Sequence, residues 1–400
     1  MKLISLNLYQ TVAVAVVVFY GGNFLKKKVN AFQKYCIPAP VIGGIIFALM
    51  TLGLNLAGIM TIETDETMKN VFQTLFFTSV GYTASLKLLK KGGLQVAIFV
   101  VITTLIVIGQ DVLGVIMAYL FDLDPTIGLC TGSIAMVGGH GTSASFGPLL
   151  ENQYGVSGAY TIAIAAATFG LVMGGLIGGP IAKRLISKKK LSSEVFENPQ
   201  HMDDFSEEKL ERHLETDEFL KAFSMLFLAA GIGTVISALI EKTGITFPSY
   251  IGAMLAAALI RNLSDVTQKF NVMENVVSLL GSVSLSLFLS MALMGLKLWE
   301  LASLAVPMIV MLMVQTVFIG AFAYFVTFNV MGKDYEAAVM SSACCGFGMG
   351  ATPNAIANMQ AITGIYGPAP KAFFIVPLVG SLFIDFINGF VVTFFINLLK

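Results

Sequence analysis

Charge is what this chain has least of. Only 12% of its 400 residues are Asp, Glu, Lys or Arg, against 56% hydrophobic ones, about half the charge of an ordinary soluble domain. A water-facing surface cannot be built from that supply, which excludes a water-soluble enzyme. Arginine is scarcer still. Arg184, Arg212 and Arg261 are the whole stock, and each lies at or beyond the end of an apolar run, so no guanidinium fork can clamp an anion at membrane depth. The four cysteines, Cys36, Cys130, Cys344 and Cys345, show no C-x-x-C spacing. That argues against a disulfide framework or metal site and leaves small buried hydrophobes. There is no P-loop, Rossmann fingerprint, H-E-x-x-H or G-x-S-x-G, so group transfer and hydrolysis lack their parts. With 24 basic and 24 acidic residues, nothing favours nucleic acid as a partner. Residues 1–25 lack the short apolar core and A-x-A-like exit of a cleavable signal peptide.

Long apolar runs are what the chain does have; mean hydropathy is +0.82. Runs bounded by charge or turn residues place membrane spans near 3–25, 39–60, 70–86, 94–120 and 159–186, then near 219–240, 248–264, 275–296, 301–330 and 371–397. These are expected to be helices, because lipid offers backbone groups no partner. Two further stretches, near 126–150 and 336–362, are crowded with Gly, Ser, Thr, Asn and Pro. Five glycines between Gly132 and Gly147 would each cost a continuous helix about 1 kcal/mol. Both read as glycine-rich re-entrant hairpins, since irregular backbone at membrane depth needs shielding by protein or a water cavity.

Basic residues gather on the cytoplasmic side of a membrane. With the N-terminus outside, only Lys2, Lys69, Lys242, Lys297 and Lys400 of the 24 fall outside. This balance supports five spans and one hairpin in each half, with both termini outside. An odd span count per half turns the second half upside down. Shifting the sequence by 210 positions aligns Pro38 with Pro248, Lys87 with Lys297, Asp124 with Asp334, Gly138 with Gly348, Thr142 with Thr352 and Gly170 with Gly380. The expected fold is an all-α membrane protein of two inverted-topology repeats, 1–186 and 219–400. They are joined by a charged cytoplasmic linker over 187–218, expected to be partly helical from Asp203 to Leu220, where His201 and His213 read as surface residues. Inverted repeats with midplane sites at broken helices mark many secondary transporters.

Ionisable side chains at membrane depth are functional candidates by default. Asp385, mid-way along the last span, shares a helix face with Asn388, and the pair offers oxygen ligands to a cation. Asp111 lies nearer a span end, at the interface or functional, and Gln315 reads as interhelical glue. In the hairpins, free N–H groups at broken helix ends suit an anion and loose carbonyls suit a cation. Gly138, Gly139 and Gly141 allow close backbone approach, and Thr142, Ser143 and Ser145 add hydroxyls. Gly346, Gly348 and Gly350 do the same in the second hairpin, followed by Thr352, Asn354 and Asn358. His140 either donates to a carboxylate or caps its hairpin. The expected substrate site is Gly138, Gly139, His140, Gly141, Thr142, Ser143, Gly348, Gly350, Thr352 and Asn354. The expected sodium ligands are Asp385, Asn388, Asn358 and Ser145.

GGHGT at 138–142, GFGMGATPNAIANMQAIT at 346–363 and SLSLFLSMALMGLKLWELASLA at 284–305 carry a resemblance to the bacterial sodium/glutamate symporters over nearly the whole length. The resemblance implies an inner-membrane importer of L-glutamate with co-transported sodium, and a homodimer in the lipid bilayer. For the dimer, GLVMGGLIGG at 170–179 offers small residues, which equally suit packing within one protomer. The rival reading is a sodium-coupled carrier of another dicarboxylate or of citrate. It is kept open because no second buried acid is evident to hold the substrate ammonium. A membrane-embedded enzyme would show clustered acids at an interfacial loop, and a channel a continuous polar lining; neither is seen.

Overall fold

In a computed structural model of the chain, the described residues are 2–34, 37–87, 93–193, 216–243, 249–296 and 305–399. Most of the linker, including His201, His213 and residues 203–215 of the helix expected from Asp203, lies outside them, as do Cys36 and Lys297. The first half runs through α1 (Leu8–Lys28), the short α2 (Asn30–Lys34), α3 (Ala39–Leu56), α4 (Thr67–Thr83), α5 (Gly93–Leu120), α6 (Pro125–Thr131), α7 (Gly139–Tyr154) and α8 (Ala159–Lys189). The second runs through α9 (Thr216–Glu241), α10 (Ser249–Thr267), α11 (Glu274–Met294), α12 (Ala305–Phe322, prolonged to Val330 through a π turn), α13 (Tyr335–Gly348), α14 (Thr352–Tyr366), α15 (Pro370–Leu382) and α16 (Ile384–Leu398).

Most helix starts of the two halves correspond under the 210-residue shift, although α2 has no counterpart and the single α8 stands against α15 and α16. Ala39 and Ser249 each begin a helix, as do Pro125 and Tyr335. The aligned aspartates do the same job: Asp124 accepts from the Thr126 N–H at 2.8 Å and Asp334 from the Ala337 N–H at 2.7 Å, each satisfying an orphan donor at a helix start. Glycines also recur. Gly22 of α1 and Gly43 of α3 let those helices touch backbone to backbone, and Gly233 and Gly252 do so for α9 and α10.

Among the described residues, seven helices are long and apolar enough to cross a membrane, and α15 with α16, bent by 43°, makes an eighth if the pair is taken as one span. By length and composition, this set differs from the spans expected from sequence in several places. α4, at 17 residues, and α10, which carries Arg261 and Asp265, fall outside that set, although spans were expected at 70–86 and 248–264. A helix spanning about 30 Å of hydrocarbon needs about 20 mainly apolar residues. The first span starts only at Leu8, because Lys2–Ser5 forms a parallel two-stranded ladder with Met60–Glu63. The last span is not continuous, since it breaks between Leu382 and Ile384.

The helices sort into two packed groups. α1, α3 and α4 pack with α9, α10 and α11, the α4–α10, α4–α11 and α3–α11 contacts joining the halves. α5 to α8 pack with α12 to α16 around a second core that contains Phe99, Ile106, Phe347 and Val376. Between the groups, α7 meets α11, α15 and α16 meet α4, and α10 meets α16. The small-residue stretch of α8 is used within the protomer: Gly170 faces the Met349 carbonyl, Gly174 the Cys345 carbonyl and Gly178 the Asn358 side chain. Cys130, Cys344 and Cys345 are buried and free.

A Cβ on Gly43 would overlap the Val18 carbonyl, whereas Gly53 of the same helix has nothing within 4 Å. Gly43→Val is therefore expected to lower the thermal unfolding temperature of the detergent-purified protein by several degrees, and Gly53→Ala to leave it unchanged or raised.

Candidate functional site

Both stretches expected to be hairpins are broken helices. In the first, α6 ends at Thr131 and α7 starts at Gly139, with turns over 132–138 between them. In the second, α13 and α14 pack against each other on either side of Met349–Ala351. They approach closely enough that a Cβ on Gly346 would lie 2.5 Å from the Ala355 nitrogen. Pro353, in the first turn of α14, has no N–H to lose there and fixes the helical φ. The two tips meet. Gly139 has φ +58°, and a Cβ there would sit 2.9 Å from the Gly350 carbonyl oxygen. This is the one site position where left-handed backbone and close approach coincide, and both require glycine.

Around the meeting point lies a cavity of about 210 Å³. Its walls are Gly138–Thr142 from the first break, Gly350–Pro353 from the second, and Ile384 with Asp385 from the start of α16. The other helix group contributes Pro38, Phe76, Phe77, Leu285 and Leu289. Three helices, α7, α14 and α16, thus begin at this cavity. The dipoles of these helix starts favour negative charge there without any arginine. Asp385, in the first turn of α16, sets one carboxylate into the same wall.

His140 is buried, and its Nε2 lies 2.9 Å from Thr168 Oγ1. The Thr168 hydroxyl has a single proton, which it donates to the Ile164 carbonyl at 3.0 Å. The His140–Thr168 hydrogen bond is then donated by Nε2–H, which makes Nδ1 of the neutral ring an acceptor. His140 lines the cavity and makes no other hydrogen bond among the described residues.

Of the residues singled out from sequence, Gly138, Gly139, His140, Gly141, Thr142, Gly350, Thr352 and Asp385 line this cavity together. The others do not. Ser143 Oγ donates to the Ala163 carbonyl at 3.1 Å. The Gly348 carbonyl accepts from Gln110 Nε2 at 2.7 Å. Asn354 Nδ2 donates to the Leu171 carbonyl at 2.7 Å, and Asn358 Nδ2 to the Gly174 and Ser342 carbonyls at 2.9 and 3.2 Å. These amides bind the second hairpin to α8. Ser145 Oγ donates to the Gly141 carbonyl at 2.8 Å and faces a second cavity of about 380 Å³, shared with Glu66, Lys69, Gln73 and Tyr250. That cavity lies one helical turn along α4 and α7 from the first. In it Lys69 Nζ and Glu66 Oε1 pair at 2.5 Å. The four expected sodium ligands are therefore not gathered at one point.

Sequence reasoning missed a knot of polar groups behind the first break. Asp111 was placed near a span end, yet it is fully buried in α5. Its Oδ1 accepts from the Ser133 N–H at 2.8 Å and its Oδ2 from Ser133 Oγ at 2.9 Å. Asn388 Nδ2 donates to the Ser133 carbonyl at 3.2 Å, and Gln315 Nε2 to the Gln110 carbonyl at 2.8 Å. Gln315 is interhelical glue, as its mid-span position suggested. The apolar wall at Phe76, Phe77, Leu285 and Leu289 was missed as well; no signal in sequence separates it from ordinary core.

The family model that matches the chain is described as sodium/glutamate symporter and covers residues 4–368. The chain is 39% identical over 391 residues to the sodium/glutamate symporter of Haemophilus influenzae, with 96% of each chain covered. It is 39% identical over 393 residues to that of Escherichia coli, with 98% of each covered. A match of this length, on a helical chain with at least seven membrane-crossing candidates and two broken helices meeting at a cavity, has one consequence: the chain belongs to the sodium/glutamate symporter family.

Proposed function

We propose that this protein is a secondary transporter, not an enzyme, that imports L-glutamate with sodium ions across a bacterial inner membrane. The observation that carries the reading is the convergence of three helix N-termini, Thr142, Thr352, His140 and Asp385 on one small cavity between two helix groups. Glutamate carries two carboxylates and one ammonium at neutral pH. The helix ends and hydroxyls suit the carboxylates, while Asp385 and the bare Nδ1 of His140 suit the ammonium. The sequence shows no second buried acid for the ammonium; in this reading Asp385 and the Nδ1 of His140 share that task. A dicarboxylate lacking the ammonium would leave both acceptors without a donor, at about 1–3 kcal/mol for each buried group left unsatisfied. Sodium would offset part of the substrate's negative charge where the dielectric is low.

In this reading the two halves are inverted repeats of five spans, 1–186 and 219–400, and the broken helices are re-entrant. The first enters from outside near 126–150 and the second from the cytoplasm near 336–362. Both termini are outside and the linker is cytoplasmic. The α5–α8 and α12–α16 group carries the whole polar wall of the cavity, while the other group presents mainly apolar side chains. Alternating access follows when the first group, with its cargo, slides against the second. An apolar wall permits sliding because it holds no directional bond to break. The six-helix group is left to anchor the protein, as a homodimer, in the bilayer.

In liposomes, an imposed sodium gradient should drive uptake of labelled glutamate, and a proton gradient alone should not. Uptake indifferent to sodium, or inhibited equally by citrate, would count against the reading. Asp385→Asn should weaken sodium dependence and raise the apparent glutamate constant. His140 gives a sharper test. In His140→Asn the amide oxygen replaces Nδ1 as acceptor, whereas His140→Gln keeps the donor toward Thr168 and loses the acceptor. Competition assays should find the preference for glutamate over glutarate largely kept in His140→Asn and reduced on the order of tenfold in His140→Gln. Equal preferences in the two variants would place His140 in packing alone.

A further inference from the structure

The second cavity, of about 380 Å³, is not part of the proposed glutamate site, and its walls divide into a rim and a floor. Asn70 and Glu241 lie on an exposed rim, whereas Lys69, Gln73, Ser145 and Tyr250 are buried. Lysine is almost never buried unless it is paired. Lys69 is the one buried lysine among the described residues, and its pairing is partial. The ammonium has three N–H donors; one goes to Glu66, whose own side chain is 62% exposed. The other two meet no protein acceptor among the described residues. In an ordinary surface pair both side chains are in water. Here the cation is enclosed and the acid stays at the rim.

Other donors stand unused beside it. Gln73, one turn further along α4, makes no side-chain hydrogen bond among the described residues. The buried Tyr250 hydroxyl also has no partner among them. An acceptor is free as well. Pro148 lies inside α7 and has no N–H, so the Ala144 carbonyl, four residues back in the cavity wall, loses its usual helix partner. Buried polar groups are nearly always satisfied in a native protein. This enclosure holds a fixed positive charge, an amide and a hydroxyl for carboxylates, with an acid and a carbonyl for an ammonium. An amino acid with an acidic side chain meets that whole set.

The position of the cavity gives it a use. Lys69, Gln73 and Phe76 follow one face of α4, and Gly141, Ser145 and Pro148 one face of α7, so the same two helix faces line both cavities. Between the cavities stands an aromatic partition. A Cβ on Gly141 would lie 3.2 Å from the Phe76 ring. Phe77 is 4.9 Å from both Phe76 and Tyr250, ring centre to ring centre. In the proposed orientation the start of α4 is outside, which puts the second cavity on the outer side of this partition.

We propose that the second cavity is a waiting site for glutamate on the outer face, with Lys69 as the anchor for a carboxylate and Phe76 and Phe77 as the door to the transport cavity. A substrate carboxylate takes the free N–H donors of Lys69, and Glu66 with the Ala144 carbonyl receives the ammonium. Because Lys69 supplies the positive charge, this site holds glutamate without sodium, unlike the inner cavity. The inference rests on the reading of the chain as a glutamate carrier, and its readout is occupancy in the absence of sodium rather than uptake.

The test uses Thr74→Cys, a partly exposed position in the same cavity wall, in protein without its native cysteines. Right-side-out membrane vesicles are treated with a membrane-impermeant thiol reagent, with choline replacing sodium. Millimolar glutamate should slow the labelling severalfold. Lys69→Met should abolish that protection and Lys69→Arg should keep it. In uptake assays with sodium, Lys69→Met should raise the half-saturating external glutamate on the order of tenfold. It should leave the constant measured from the cytoplasmic face, in inverted vesicles, unchanged. Labelling indifferent to glutamate in choline would overturn the proposal. An equal rise of the constant on both faces would also overturn it and leave Lys69 and Glu66 as a structural tie. Should Lys69→Met fail to fold, Gln73→Leu, which keeps the ion pair, is read in the same assays: weakened protection supports the site, and unchanged protection overturns it. Wild-type vesicles that show no sodium-driven glutamate uptake would strike the proposed function instead, whatever the labelling shows.

Discussion

A helix that stops inside a membrane protein leaves donors at one end and acceptors at the other, and no water is at hand to satisfy them. The architecture of this chain follows from housing such ends. α6 and α13 stop short, and α7, α14 and α16 start around one cavity. Gln110 and Asn388 each spend an amide N–H on a carbonyl at a break, Asn354 and Asn358 tie the second hairpin to α8, and Asp111 takes both donors of Ser133. The helix starts are treated differently and are turned toward a cavity.

That division explains why the chain can do without arginine at depth. Positive potential for an anion is supplied by three helix starts, which are fixed in direction and carry no side-chain entropy. It also explains the contrast between the two helix groups. One supplies backbone ends, hydroxyls, an imidazole and a carboxylate, and the other supplies aromatic and aliphatic cover. In the proposed reading, the polar groups that face the cavity all belong to the helix group that would hold the cargo. The boundary between groups is apolar where it meets the cavity, so movement along it breaks few hydrogen bonds.

Much of this was legible in the sequence, and where it was not the reason is specific. The breaks near 132–138 and 349–351 announce themselves, because glycines, Pro353 and small polar residues are too costly in an unbroken helix. The recurrence at 210 residues was visible in Asp124 and Asp334, whose shared capping role makes the alignment physical. The break before Ile384 had no such signature. Asp111 was misjudged because distance from a span end in sequence says little about depth in a 28-residue helix. Ser143, Asn354 and Asn358 were taken for ligands because a polar side chain among apolar neighbours serves equally well to bind cargo or to satisfy a carbonyl. Only coordinates separate those uses.

We propose that the two hairpin tips form one carrier for glutamate that faces each side of the membrane in turn. Thr142→Cys and Thr352→Cys, each made in protein without its native cysteines and probed in oriented vesicles with a membrane-impermeant thiol reagent, test this most directly. Both positions should react from either face, and glutamate with sodium together should slow the reaction on both faces. Reaction of each position from one face only, at rates indifferent to glutamate and sodium, would contradict the account.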